Sequence, residues 1–201
     1  MRVIETILNG YTAVLSSVMD DIHEFRAPQT MTPSELGDSL ARLVWESFSD
    51  FLAHEDVETP LPDYQPLSDE DDALDRRSAE EALIFFMWAH TRGVQLAFLG
   101  RAPDERIREG LDALHRAIFD DMVEHGTPRA QLPIFEQRVS ARYAEYHHAA
   151  AESDARLGEA VSRHLVVDPG QLPTLADALR ERAVAVANPL KDFLEDVELV
   201  D

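Results

Sequence analysis

The sequence contains no cysteine and one lysine, Lys191. The missing thiol excludes a disulfide framework, a thiolate zinc site, an iron–sulfur cluster and a cysteine nucleophile. Glycine is sparse, and no glycine-rich phosphate loop, nucleophile elbow or His-Glu-x-x-His metal helix is present. Strand alternation, hairpin dipeptides and internal repeats are also lacking. The longest apolar run, Ala82 to Leu99, is interrupted by His90, Arg92 and Gln95, which are expensive in hydrocarbon. It reads as a buried core helix and not as a membrane span. The opening stretch, Met1 to Ser17, has no basic start and no small-residue cleavage pattern. A soluble cytoplasmic protein is therefore expected, with no membrane contact.

What is abundant is carboxylate. The 201 residues hold 39 Asp and Glu against 18 Lys and Arg, a net charge of −21. This argues against nucleic acid and against anionic lipid as partners. Two origins fit an acid-rich, arginine-for-lysine composition. One is a G+C-rich genome with an ordinary acidic surface. The other is adaptation to a high-salt cytoplasm, where self-repulsion is screened over a Debye length of about 3 Å at 1 M salt. The apolar fraction of 45% is too high for wholesale disorder, and the length suffices for a substantial core.

Apolar residues recur at helical spacing almost throughout. Ile4, Ile7, Tyr11, Val14, Val18, Ile22 and Phe25 predict a helix over about 2–25. Thr32, Pro33 and Glu35 form a capping box with a preset φ, opening a helix that should stop near His54. Residues 55–75 carry three prolines, nine carboxylates and no basic residue, which predicts a long, mobile acidic loop. It lacks the ligand alternation and turn glycine of a calcium loop. Ser78-Ala79-Glu80-Glu81 reads as the cap of a helix over about 78–99, apolar on nearly every face and so central to the fold. Further helices are expected from Pro103 to Gly126, from Leu132-Pro133 onward to Leu165, and from about Pro173, with Pro189 kinking or restarting the last before Val197. Glu152-Ser153-Asp154 and Gly158 mark where the 132–165 helix could break. The expected fold class is all-α, one domain spanning 1–201, with about six helices around the central apolar one.

Three residue groups could carry chemistry. Acid–His pairs at i and i+3 occur at Asp20 with His23, Asp112 with His115, and Glu145 with His148. Convergence of Asp112, His115, Glu145 and His148 would make a divalent-metal site in a bundle core. The alternative is solvent-facing pairs that hold no cofactor. Trp88, His90, Arg92 and Gln95 place polar groups inside the greasy helix; they are either paired internally, with Arg92 reaching a carboxylate, or line a pocket for a polar ligand. Arg138, Arg142, Tyr143, Tyr146 and His147 gather the residue types that favour interface centres, or else Tyr143 and Tyr146 are core residues with polar tips.

Over roughly residues 80–165, a greasy helix is followed by Ile118-Phe119-Asp120-Asp121-Met122 and then by Arg142-Tyr143 upstream of Tyr146. This order is similar to the helical domain of the ubiquinol–cytochrome c reductase assembly chaperones. The stretch after Gly126 departs from that family's glycine- and lysine-bearing segment, so no residue role is carried over. The sequence thus leads to a non-enzymatic helical protein acting through a protein partner or a second copy of itself. A metal-binding bundle and a small-ligand binder are the alternatives.

Overall fold

A computed structural model describes residues 29–53, 69–165, 170 and 172–201. The expected helix over 2–25, with the Asp20–His23 pair, lies outside the described residues. So does the 55–68 part of the acidic loop.

The chain runs through strand β1 (Gln29–Met31) and helices α1 (Pro33–Ala53), α2 (Asp69–Ala97) and α3 (Asp104–Glu124). A 3₁₀ turn (Arg129–Gln131) leads to α4 (Leu132–Glu152), α5 (Asp154–Ser162), α6 (Leu172–Glu195) and strand β2 (Val197–Leu199). The fold is all-α, as expected, and α2 is its axis. Every residue from Ala82 to Thr91 is buried, because α2 packs against α1, α4 and α6 at once. The outer helices bury single stripes, such as Ile107, Leu111, Leu114, Ile118 and Met122 on α3. No helix among the described residues is long and apolar enough to cross a membrane.

Local signals account for most boundaries. At the start of α1 the Glu35 amide donates to Thr32 Oγ1, and the Thr32 amide donates to the Glu35 carboxylate at 2.9 Å. Those hydrogen bonds hold the exposed Glu35 carboxyl below its ordinary pKa. Gly126, at φ +102°, turns the chain out of α3 where an L side chain would be strained. Ser153 ends α4 and caps α5 by accepting from the Arg156 amide, so the polar stretch at 152–154 does break the helix. Gly37 lets α1 and α3 approach closely: a Cβ there would lie 2.7 Å from the Leu114 backbone nitrogen.

Four expectations need correction. Helix α2 begins at Asp69, so residues 69–75 are helical and not loop. Ser78 is buried within α2 and is no cap; its partner in the supposed box, Glu81, faces α4 instead. Pro189 lies inside an uninterrupted α6. Finally, Val197 does not extend the last helical stripe. It starts a strand that pairs in parallel with β1, in the register Gln29↔Val197, Thr30↔Glu198 and Met31↔Leu199. Three-residue strands are too short to show alternation in a sequence. Arginines secure this corner. Arg101 donates to the carbonyls of Ala97, Leu194 and Glu195, satisfying acceptors that the ends of α2 and α6 leave unpaired. Arg106 donates to the Leu199 carbonyl at 2.6 Å.

Candidate docking groove and the buried polar network

A groove of about 310 Å³ opens where α1, α2 and the end of α3 meet. Trp45 and Phe48 form one wall, Ala79, Glu80 and Leu83 the next, and Met122, His125 and the turn through Gly126, Thr127 and Pro128 the third. Gln131 closes the side towards α4. The Trp45 indole is fixed: its N–H donates to the Asp121 carboxylate at 2.8 Å, and its ring meets Phe48 edge-on. His125 Nδ1–H donates to the Asp121 carbonyl at 2.7 Å, which anchors the turn. On the rim, Glu80 is paired with Arg138, whose guanidinium lies over the Phe135 ring. Ile134, three residues beyond Gln131, is 64% exposed. This is a preformed apolar trough with charge confined to its edge, suited to receive a side chain from another molecule.

The predicted interface residues are instead the seam between α2 and α4. Glu81, 1% exposed, accepts from Arg142 Nε at 2.7 Å and Nη2 at 3.1 Å, and Arg138 lies 3.8 Å from the same carboxylate. Glu81 is the first cause of a raised Arg142 pKa, so that guanidinium keeps its charge despite burial. Arg142 also reaches Glu145, which accepts from His164 Nε2 at 2.6 Å and ties in α5 and the residues after it. Tyr146 is fully buried against Trp88, and burial, then the Glu81 charge, push its hydroxyl well above the ordinary phenol range. The Tyr143 hydroxyl sits between His115 Nε2 (2.9 Å) and the Thr91 hydroxyl (3.2 Å), and burial raises its pKa too. His147 is half-buried against Trp88 and Tyr143. Arg138, Arg142, Tyr143, Tyr146 and His147 therefore face inward, because Glu80 and Glu81 on α2 give the arginines a partner that solvent would not.

The other two groups do not assemble. Trp88 and His90 are packed into the core, whereas Arg92, one turn beyond Trp88 on the same face, is exposed and Gln95 is half-buried. Among the described residues Arg92 makes no ion pair, so the expected internal carboxylate partner is not used there. His90 Nδ1–H donates to the Phe86 carbonyl at 2.8 Å, and desolvation lowers its pKa to about 4, so the ring is neutral. Of the four metal candidates, His115 is held by Tyr143, Glu145 by Arg142 and His164, and the exposed His148 by Glu152 at 3.3 Å. Asp112 is exposed and acts on His115 only as a nearby charge, secondary to the burial that lowers its pKa. Among the described residues, no group of three or more such side chains is placed to hold a metal ion. The i and i+3 spacing correctly put each pair on one helix face, but the faces do not converge.

The groove itself was not anticipated. Its one legible trace is Trp45, a large aromatic lying just off the Leu36–Leu40–Val44–Phe51 stripe, where a side chain should be wet. Comparisons with protein-family models, with curated proteins and with solved structures find no match. The similarity to the reductase assembly chaperones gains no support from them.

Proposed function

We propose that this protein is a non-enzymatic helical binding protein whose groove accepts an apolar side chain of another polypeptide, presented beside basic residues. The carrying observation is the trough walled, among the described residues, by Trp45, Phe48, Leu83 and Met122. Among the described lining residues Glu80 is the only formally charged one, and it is paired with Arg138; Asp121 stands behind Trp45. The chain's net charge of −21 favours a cationic neighbour on the incoming chain over an acidic one. The absence of catalytic motifs and the internal use of His90, His115, Tyr143 and Arg142 support binding over catalysis. The acid-rich, lysine-poor composition supports work in a salty cytoplasm.

The test uses Trp45 as reporter. The chain has two tryptophans, so Trp88→Phe leaves Trp45 as the sole emitter. A peptide of alternating Lys and Leu is expected to shift its emission to shorter wavelength, and a Lys and Ser peptide of equal length is expected to leave it unchanged. Equal responses to both peptides, or none to either, would defeat the reading.

A further inference from the structure

We infer that α4 is closed on α2 and α3 by a pH-sensitive latch, and that protons taken up by His115 and His147 release it. The apolar hold on this helix is thin. Of its 21 residues, Phe135, Val139, Tyr146 and Ala149 are buried, whereas α3, of the same length, buries seven. Few buried apolar contacts mark the part of a fold that opens first. Both ends of α4 are breaks in helical structure. The turn at Gly126, φ +102°, precedes it, and Ser153, in extended conformation, separates it from α5.

The rest of the hold is polar. His115 of α3 accepts from the Tyr143 hydroxyl at 2.9 Å, because its other ring nitrogen donates to the Leu111 carbonyl. His147 of α4 lies edge-on to Trp88 of α2, 5.6 Å between ring centres, and makes no hydrogen bond among the described residues. Burial holds both rings below their ordinary 6.5; Asp112 of α3 opposes this at His115, and Arg92 of α2 adds to it at His147. A proton on His147 thus meets a like charge, and one on His115 takes away the acceptor that Tyr143 uses. His90 of α2 is bonded within its own helix, to Phe86. Trp88 Nε1 and the Tyr146 hydroxyl, buried at the same seam, have no partner among the described residues, and opening returns them to water. The pairs of Glu80 and Glu81 with Arg138 and Arg142 oppose release. His164, on Glu145, ties α4 to the turn after α5 and not to α2 or α3.

Release restores the ordinary proton affinity of both rings. The closed helix refuses protons that the freed one binds, so closure is present above about pH 6.5 and is lost as pH falls below it. Two protons per opening make the open fraction grow by up to about a hundredfold per pH unit. The test is hydrogen exchange of the full chain in molar salt at about pH 7.5 and about pH 5.5, corrected for the intrinsic pH dependence of exchange. Peptides from 132–152 are expected to lose about tenfold or more of their protection at the lower pH, while those from 82–91 keep theirs. In Trp45→Phe, which leaves Trp88 as the sole tryptophan, acrylamide quenching should rise over the same range. His147→Gln should halve the pH slope of release, and adding His115→Gln should remove it. Protection of 132–152 that does not fall, that falls together with 82–91, or that falls equally in the double variant overturns the inference. If the double variant does not fold, His147→Gln alone decides, and an unchanged pH slope overturns the inference.

Discussion

His90 offers a quantitative handle on the core. Its ring is buried on α2, its Nδ1–H is committed to Phe86, and its pKa falls from 6.5 to about 4. In the unfolded chain the ring regains its ordinary affinity for a proton. Between those two values the unfolded state binds a proton that the native state refuses, so stability is present above about pH 6.5 and is lost as pH falls towards about 4. The limiting loss is about 3 kcal/mol at 1.36 kcal/mol per pH unit. About 2 kcal/mol of it is gone by about pH 5. Carboxylate protonation acts in the opposite sense, by relieving the −21 charge, and would mask this in the native chain alone. His90→Leu shares that background, so the difference between the two proteins isolates the ring. Urea unfolding of both, in molar salt, is the assay. The stability of His90→Leu relative to the native chain should rise by about 2 kcal/mol between about pH 7 and about pH 5. A gap that does not change with pH would refute the claim that His90 is folded as a neutral core residue.

Glu81→Gln should remove the charge that compensates Arg142 and lower stability by about 2–3 kcal/mol, read as a shifted urea midpoint with unchanged slope. Gly37→Ala forces a methyl group against the backbone of α3 at Leu114 and should cost about 1–3 kcal/mol in the same titration. Tyr143→Phe strips the hydroxyl shared by His115 and Thr91 and should cost about 1–2 kcal/mol. The thermal midpoint of the native chain should climb between dilute and molar salt; an unmoved midpoint would count against a salt-adapted surface.

Much of the architecture was legible because amphipathic helices write their packing into the sequence at a fixed period. The stripe from Leu36 to Phe51 and the one from Ile107 to Met122 are where they should be. The two Ser/Thr-x-x-Glu patterns show the limit of local signals. At Thr32 the pattern is a true capping box, because nothing else claims Glu35. At Ser78 it is spurious, because Glu81 has Arg142 as a partner on another helix, and helix α2 had already begun at Asp69. The misplaced interface has the same origin. Tyr and Arg side chains look sociable in one dimension, and their partners on α2 appear only when the helices are packed. The groove was hidden for a different reason. It is made from the flanks of α1 and α2 and a turn after α3, and no single periodicity runs through all three.

The parallel pairing of residues 29–31 with 197–199 sets an order on folding. Helices α1 to α6 form from neighbours along the chain, but this ribbon joins segments separated by nearly the whole described sequence, and closing so long a loop is entropically slow. During synthesis, β1 emerges early and finds no mate until residues 197–199 have left the ribosome. Arg101 and Arg106 must wait as well, since most of the carbonyls they grip belong to the same late arrivals. A chain halted short of Val197 would have its helices without this clasp.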